Sequence, residues 1–244
     1  MPEILAKMTH IDVRSYFEKR NIALLPIGST EQHGKHLPLG TDHLIAEALA
    51  QEVALRTGTL LFPTIPYGVS KHHRHFPTIW ISSQLFRELV TQVALSFKPY
   101  GLRKLVIVNG HGGNTTALGE VAGDLSDENI HCIVWEWWRT KVIEDFLQKE
   151  AGSDLGTVTH ADLGETSMAL AHFEEWVQMD RAEDHPTTIW APRIHGAMVH
   201  FFTNDFTESG NLGAPTKASR KLGDDLRALA IQELELALAW LDAI

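Results

Sequence analysis

Four side chains able to bind a divalent metal ion lie within one short stretch of this chain. Glu31, His33, His36 and Asp42 occur in a segment rich in glycine and proline, where the chain turns repeatedly. Residues two apart in an extended stretch point to the same side, so Glu31 and His33 can converge on one point. Asp42 adds a second carboxylate, whose two oxygens could hold two ions at once. Oxygen and nitrogen donors without a thiolate suit zinc, manganese or iron.

A histidine between glycines forms a second polar segment farther along the chain. His111 lies in the run 109–114, Asn-Gly-His-Gly-Gly-Asn, directly after the apolar run 104–108. The glycines leave little steric bulk, so the backbone can approach a bound ion or substrate closely. A phosphate-binding turn or a plain strand-to-helix connection would give the same pattern, because glycine motifs alone are weak evidence. Beside the first segment, the pattern favours His111 as a further metal ligand.

Four segments together resemble the creatininase (creatinine amidohydrolase) family. In the family's order they are Gly-Ser-Thr-Glu-Gln-His-Gly (28–34), His-Leu-Pro-Leu-Gly-Thr-Asp (36–42), Asn-Gly-His-Gly-Gly-Asn (109–114) and His-Ala-Asp-Leu-Gly-Glu-Thr-Ser (160–167). The resemblance implies a cytoplasmic, metal-dependent hydrolase of non-peptide C–N bonds with an α/β/α fold. It also implies two divalent ions per subunit and a homo-oligomer, a hexamer. The metal ligands that it carries over are Glu31, His33, Asp42 and His111, with Asp42 as the bridge.

Departures from the family pattern affect both the metal site and the substrate. Creatinine-hydrolysing members carry an aromatic residue and a metal-binding glutamate directly after the second-motif histidine, where this chain has Gly112 and Gly113. The second ion then needs another carboxylate, and Glu165 is the candidate. The same change makes creatinine a weaker expectation than another cyclic amide or formamide. The loop 71–77 has a histidine where a glutamate is expected, so substrate contacts there cannot be carried over.

His160 is the candidate proton donor of the reaction. A neutral amide is a poor electrophile and water is a poor nucleophile, and two divalent ions can improve both. The leaving nitrogen still needs a proton, which an imidazole can supply near neutral pH. His160 matches the family's histidine in the fourth segment, although a structural hydrogen bond at a helix start is the alternative. Glu165 is the second catalytic candidate, because it could hold the attacking water instead of an ion.

Other aromatic and histidine side chains are candidates for the substrate pocket. His36 could hydrogen-bond a ligand carboxylate, a role that tunes metal affinity. The group His72, His73 and His75 is interpreted as a pocket rim, with neighbouring side chains on opposite sides. Trp135 and Trp137 share a face of an extended stretch, so they either fill the core or form a wall for a planar substrate.

Strand-like and helix-like apolar patterns alternate along the chain and indicate the elements that position these residues. The predicted strands are 22–27, 59–63, 105–108 and 131–135, and the predicted helices are 44–56, 85–97, 115–125, 140–149, 165–174 and 216–241. This alternation predicts a three-layer α/β/α domain over 1–244 with a mainly parallel sheet. The segments 28–42 and 109–114 each follow a predicted strand, and open α/β sheets bind ligands at the carboxyl ends of their strands. The less regular segment 180–215 is predicted to face the substrate or another subunit.

Composition excludes several other classes of function. A net charge of −10 without a basic stripe argues against a nucleic-acid partner and leaves a small-molecule substrate. The single cysteine, Cys132, excludes an intrachain disulfide and is interpreted as a buried thiol. Neither a signal peptide nor a bilayer-spanning apolar run is expected, so a cytoplasmic location without a membrane partner is predicted. The remaining alternatives are a formylamino-pyrimidine deformylase of the same family, a member that binds metal without turnover, and a metal-free phosphate-binding module.

Overall fold

Four parallel strands form the sheet of this protein. The computed structural model describes residues 4–151, 159–185 and 202–244. The strands are β1 (Ile22–Ile27), β2 (Leu60–Leu61), β3 (Lys104–Asn109) and β4 (His131–Glu136), in the spatial order β2-β1-β3-β4. Each pair is parallel, with Ile22 opposite Lys104 and Lys104 opposite His131. The predicted α/β/α fold is confirmed.

Seven α-helices cover the two faces of this sheet in the described residues. They are α1 (His10–Phe17), α2 (Thr41–Thr57), α3 (Ser83–Leu95), α4 (Thr115–Asp127), α5 (Lys141–Ala151), α6 (Leu163–Phe173) and α7 (Arg220–Ala243). Within the described residues, every helix is too short or too polar to cross a membrane. Helix α7 begins later than predicted because Pro215–Lys217 form a separate 3₁₀ turn and Ser219 caps the helix by accepting a hydrogen bond from Leu222.

Alternate residues of β1 belong to two different cores. Ile22 and Leu24 are fully buried against α2, α6 and α7, whereas Ala23, Leu25 and Ile27 are fully buried against α1, α3 and α4. Burial of one such aliphatic side chain stabilises the fold by about 1.5–3 kcal/mol. A strand that is apolar on both sides is typical of a parallel sheet covered on both faces. The sheet is therefore a rigid support for the loops at its ends.

The carboxyl ends of β1 and β3 lie side by side at the point where the chain reverses its direction of winding. The chain passes from β1 to β2 on one side and then to β3 on the other, which opens a crevice at this edge. A glycine is the next residue after each strand, Gly28 after β1 and Gly110 after β3. A Cβ on Gly28 would lie 2.4 Å from His43 N, and one on Gly110 would lie 2.1 Å from Asp42 O. Both strand ends can therefore press against the first turn of α2.

Trp135 and Trp137 fill the core rather than line the substrate pocket, which confirms the first of the two alternatives. Both lie in the core beside α2, α6 and α7, with 7% and 2% of their surface exposed. Trp137 also packs edge-on against Trp138 at 6.0 Å between ring centroids. Alternation predicted a shared face, but β4 ends at Glu136 and Trp137 begins a 3₁₀ turn.

Candidate metal centre

The five predicted ligand residues converge in two groups that share Asp42. Glu31, Asp42 and His111 each offer a ligand atom within 4.8 Å of the others, and so do His33, Asp42 and Glu165. Asp42 Oδ1 lies 2.9 Å from His33 Nε2, and Asp42 Oδ2 lies 3.0 Å from His111 Nδ1. The two oxygens of one carboxylate thus face the two groups separately. This is the arrangement that a bridging aspartate requires.

Each ligand residue comes from a loop or helix end at the crevice. Glu31 and His33 lie in the loop after β1, and His111 follows β3. Asp42 occupies the first turn of α2, where the positive end of the helix dipole favours a carboxylate. Glu165 occupies the first turn of α6, whose N-cap Asp162 accepts hydrogen bonds from the Gly164 and Glu165 N–H groups.

Outer hydrogen bonds fix which nitrogen each ligand histidine turns toward the centre. His33 Nδ1 donates to the Glu31 carbonyl at 3.0 Å, which leaves Nε2 for the site. His111 Nε2 lies 3.3 Å from both the Val69 carbonyl and Ser70 Oγ, which leaves Nδ1 for the site. Such partners orient metal-binding imidazoles and set their tautomers.

The buried carboxylates make the site favourable for cations. Glu31, Asp42 and Glu165 are all buried, and burial raises the pKa of Glu165 to about 8. Although burial alone would lower it, the carboxylates of Asp42 and Glu165 raise the pKa of His33 to about 10. Against the same penalty of burial, Glu31 raises the pKa of His111 well above its usual value. Protons on the histidines balance these carboxylates, and divalent ions would replace those protons.

Unpaired oxygens show that the residues fit a metal ion. Both carboxylate oxygens of Glu31 and the Oδ2 atom of Asp42 complete no hydrogen bond with the described residues. Buried polar atoms are nearly always paired, so such a cluster is unusual. Imidazole nitrogens lie close by, with His73 Nε2 at 3.1 Å and His111 Nδ1 at 3.3 Å from Glu31 Oε1. Carboxylates and imidazoles that converge while several carboxylate oxygens stay unpaired suit divalent zinc, manganese or iron.

His160 lies in the site, and its role as the proton donor remains a prediction. Its Nδ1 is 4.0 Å from Glu31 Oε1, and its ring centroid is 4.6 Å from that of His33. Burial, with the nearby His73 and His33, lowers the pKa of His160 well below its usual value. A neutral imidazole must accept a proton before it can donate one.

His36 contacts Thr166 Oγ1 at 2.9 Å, so its predicted bond to a ligand carboxylate is not formed.

A cavity of about 180 Å³ opens onto four of the proposed ligands, Glu31, Asp42, His111 and Glu165. Besides them it is lined by His72, His73, Gly110, Gly112, Gly113, Trp138, Thr159, His160, Thr203 and Leu212. His72 and His73 both face it because they lie on a 3₁₀ turn, so the prediction that neighbours diverge is wrong. His75 is exposed and contacts the Phe202 ring at 5.1 Å. The predicted excursion 180–215 contributes Thr203 and Leu212, whereas its residues 186–201 lie outside the described residues.

Gly113 has no room for a side chain. A Cβ there would lie 2.4 Å from His111 Nε2, 2.5 Å from the Val69 carbonyl and 2.9 Å from His72 Cε1. A glutamate at this position is therefore excluded unless the segment 69–73 and the His111 ring both move. Glu165 Oε2 lies 3.8 Å from His33 Nε2 and supplies the carboxylate from the opposite side.

Comparison with known proteins identifies relatives along nearly the whole chain. A family model described as creatininase, creatinine amidohydrolase, matches residues 6–238. A 3-dehydro-scyllo-inosose hydrolase of Thermotoga maritima is 30% identical over 79% of this chain, which spans 65% of that relative's length. A creatinine amidohydrolase of Pseudomonas putida is 27% identical, with 89% of this chain and 88% of the relative covered. A mycofactocin precursor peptide peptidase of Mycolicibacterium smegmatis is 41% identical, with 85% and 80% covered.

Solved structures of creatininase have the same fold. A manganese form of creatininase superposes with a TM-score of 0.86 at 24% identity, covering 97% of each chain. A creatininase described as the Zn-Zn type gives a TM-score of 0.81 at 24% identity, again with 97% of each chain covered.

Proposed function

This chain belongs to the creatininase family, whose named relatives are hydrolases, and we propose that it is a two-metal hydrolase of an amide C–N bond. The observation that carries the proposal is the pair of ligand groups joined by Asp42. Glu31, Asp42 and His111 would hold one ion, and His33, Asp42 and Glu165 the other. The manganese and Zn-Zn forms of creatininase support zinc or manganese as these ions, and iron(II) suits the same donors.

The chemistry follows from what each group can do. Divalent ions, when bound, lower the pKa of water and polarise an amide carbonyl. His160 would move the proton, because its neutral imidazole lies at the cavity beside Glu31. It would take a proton from the attacking water and deliver it to the leaving nitrogen, so the ring returns to its starting state. Its lowered pKa keeps the ring neutral at neutral pH, so one ring nitrogen has a free lone pair.

The proposed substrate is a small amide whose scissile C–N bond is not a peptide bond. A cavity of about 180 Å³ with buried carboxylates and Trp138 at its edge suits a compact, nitrogen-rich cyclic amide or formamide. Creatinine itself should be a poor substrate, because Gly112 and Gly113 replace the aromatic and acidic residues of its hydrolases. A formylamino-pyrimidine is the alternative within this class. A cytoplasmic homo-oligomer remains part of the proposal.

Peptide hydrolysis is a second candidate, favoured by two observations. The mycofactocin precursor peptide peptidase has 41% identity to this chain, more than the creatinine amidohydrolase has at 27%. A Cβ on Gly112 would meet no heavy atom within 4 Å, so there is open space at this edge of the cavity. An extended peptide backbone could pass there.

A substrate panel on metal-loaded protein tests both candidates. Zinc- and manganese-loaded protein is incubated with creatinine, other cyclic amides, formylamino-pyrimidines and short peptides, and products are identified by mass. Asp42→Ala serves as the inactive control for contaminating hydrolases. Hydrolysis of a cyclic amide or formamide supports the first candidate, and cleavage of a peptide alone supports the second. An absence of turnover on all of them would leave a metal-binding member without hydrolase activity. Creatinine opening at an ordinary enzymatic rate, on the order of 1–1000 per second, would refute the argument from Gly112 and Gly113.

A further inference from the structure

The side chain of Gln32 lies behind two histidines of the cavity. Its Oε1 accepts a hydrogen bond from the Gly34 N–H at 3.0 Å, which fixes the orientation of the amide. Its Nε2 then lies 2.8 Å from His73 Nδ1, 2.8 Å from His160 Nε2 and 2.9 Å from the Gly210 carbonyl. A buried amide nitrogen thus has three neighbours but only two hydrogens.

Counting these hydrogens favours one arrangement, in which both carbonyls receive a hydrogen while Gln32 Nε2 and His160 Nε2–H remain two donors 2.8 Å apart. The Gly210 carbonyl can only accept, so it takes one amide hydrogen. His160 Nε2 also lies 2.9 Å from the Gln32 backbone carbonyl, which can only accept as well. If His160 Nε2–H donates to that carbonyl, the second amide hydrogen goes to His73 Nδ1. His73 then carries its proton on Nε2, which faces Glu31 Oε1 at 3.1 Å.

The opposite arrangement places two acceptors against each other. If the second amide hydrogen went to His160 Nε2, His73 Nδ1 would donate to Thr203 Oγ1 at 2.8 Å. The His73 Nε2 lone pair would then face the Glu31 carboxylate, and the Gln32 carbonyl would lose its bond from His160. In the first arrangement, the Thr203 hydroxyl instead donates to the His72 carbonyl at 3.4 Å.

We propose that Gln32 is a positioning residue that makes His73 present an N–H, and leaves His160 to present a lone pair, to the catalytic centre. Both rings carry the proton on Nε2, but His73 turns Nε2 toward Glu31 whereas His160 turns Nδ1 toward it. The catalytic meaning rests on the proposed function: the His160 lone pair can accept the proton of the attacking water.

Nitrogen-15 NMR of histidine side chains in the zinc-loaded protein reads these tautomers directly. His73→Gln and His160→Gln assign the signals. Wild-type protein should show Nε2 protonated and Nδ1 unprotonated on both rings. Gln32→Glu replaces the donor with an acceptor, so His73 should switch to an Nδ1 proton while His160 stays unchanged. Thr203→Val, which removes the other neighbour of His73 Nδ1, should leave His73 with its Nε2 proton.

Several outcomes would overturn the inference. An Nδ1 proton on His73 in the wild type would do so, as would a zinc-induced shift of His73 Nε2. Gln32→Glu with both tautomers unchanged would also overturn it. If Gln32→Glu does not fold, Gln32→Met is used, and His73 retaining a pure Nε2–H form there would overturn it too.

Failure of this inference is distinguishable from failure of the proposed function. The tautomers are read without turnover, so the predicted signals in a protein that hydrolyses no amide would refute only the function. Amide hydrolysis by a protein whose His73 tautomer does not change in the Gln32 variants would refute only the inference.

Discussion

Loss of Asp42 should remove both metal ions, whereas loss of either ligand histidine should remove one. Asp42 Oδ1 faces His33 at 2.9 Å, and Oδ2 faces His111 at 3.0 Å. Asp42→Ala therefore reduces each of the two ligand groups from three residues to two. His33→Ala reduces only the group with Glu165, and His111→Ala only the group with Glu31. Bound metal should fall from about two ions to none in Asp42→Ala, and to about one in each histidine variant.

The size of the effect can be estimated in two ways. Loss of residues that merely orient a ligand costs about 10–100-fold in metal affinity, so loss of a shared ligand should exceed that range at both positions. At a free concentration of 100 times its Kd, one bound ion stabilises the fold by about 2.7 kcal/mol. For a chain of this length each kcal/mol corresponds to about 2–4 °C in Tm, so each ion should raise Tm by about 5–11 °C.

Elemental analysis after dialysis measures the stoichiometry, and thermal unfolding with and without zinc measures the linked stability. Wild-type protein should show the full rise in Tm, the histidine variants about half, and Asp42→Ala none. Asp225→Ala removes a carboxylate from the surface of α7 and serves as the matched control that keeps both ions. Full occupancy in Asp42→Ala would refute the bridge, and loss of both ions in His33→Ala would show that the two groups are not separate.

Three further predictions concern Glu165, His172 and Cys132. Glu165→Gln should leave about one ion, and two retained ions would reduce Glu165 to a helix-end residue that accepts the Ala161 N–H. Burial, and then Arg227, lower the pKa of His172 from 6.5 to about 4, so the unfolded chain binds this proton first as the pH falls. The neutral ring therefore contributes stability above about pH 6.5 that is lost toward pH 4, at most about 3 kcal/mol, and His172→Asn should flatten that part of the unfolding curve; an unchanged curve would contradict this. Burial raises the pKa of the Cys132 thiol to about 12, so iodoacetamide at pH 8 should alkylate it about a thousandfold more slowly in the folded chain than in the unfolded chain; equal rates would refute it.

The strands and most helices could be predicted because their signals are local. The run 22–27 is apolar throughout and forms β1 with those bounds. The predicted strand 59–63 pairs over only Leu60–Leu61, because the sheet edge contacts β1 for two residues there. Helix α1 was missed, since it is short and half-exposed. Its signal was the capping box of Thr9 and Asp12, which lies before the buried Val13.

The residues of the proposed metal centre could also be predicted to lie together, whereas the contacts around them could not. Glu31, His33 and Asp42 lie in one loop and helix start, and His111 ends the adjacent strand, so sheet topology alone brings them together. The contacts of Gln32 span 41 residues to His73 and 128 residues to His160. No periodicity in the sequence reports such distances. The only sequence signal for a role of Gln32 was its position between Glu31 and His33 in the first motif. Alternation alone predicts that its side chain points away from these two residues.

The glycines after His111 and the position of Glu165 are structurally linked. His72 and the Val69 carbonyl occupy the space that a side chain at Gly113 would need, and the His72 ring stacks on His111 with an angle of 7°. A carboxylate side chain at position 113 is therefore excluded. Because Asp162 holds the first turn of α6, its Glu165 approaches His33 from the opposite side instead. The cavity wall next to His111 consequently consists of an imidazole and bare backbone, which is why a substrate other than creatinine should fit it.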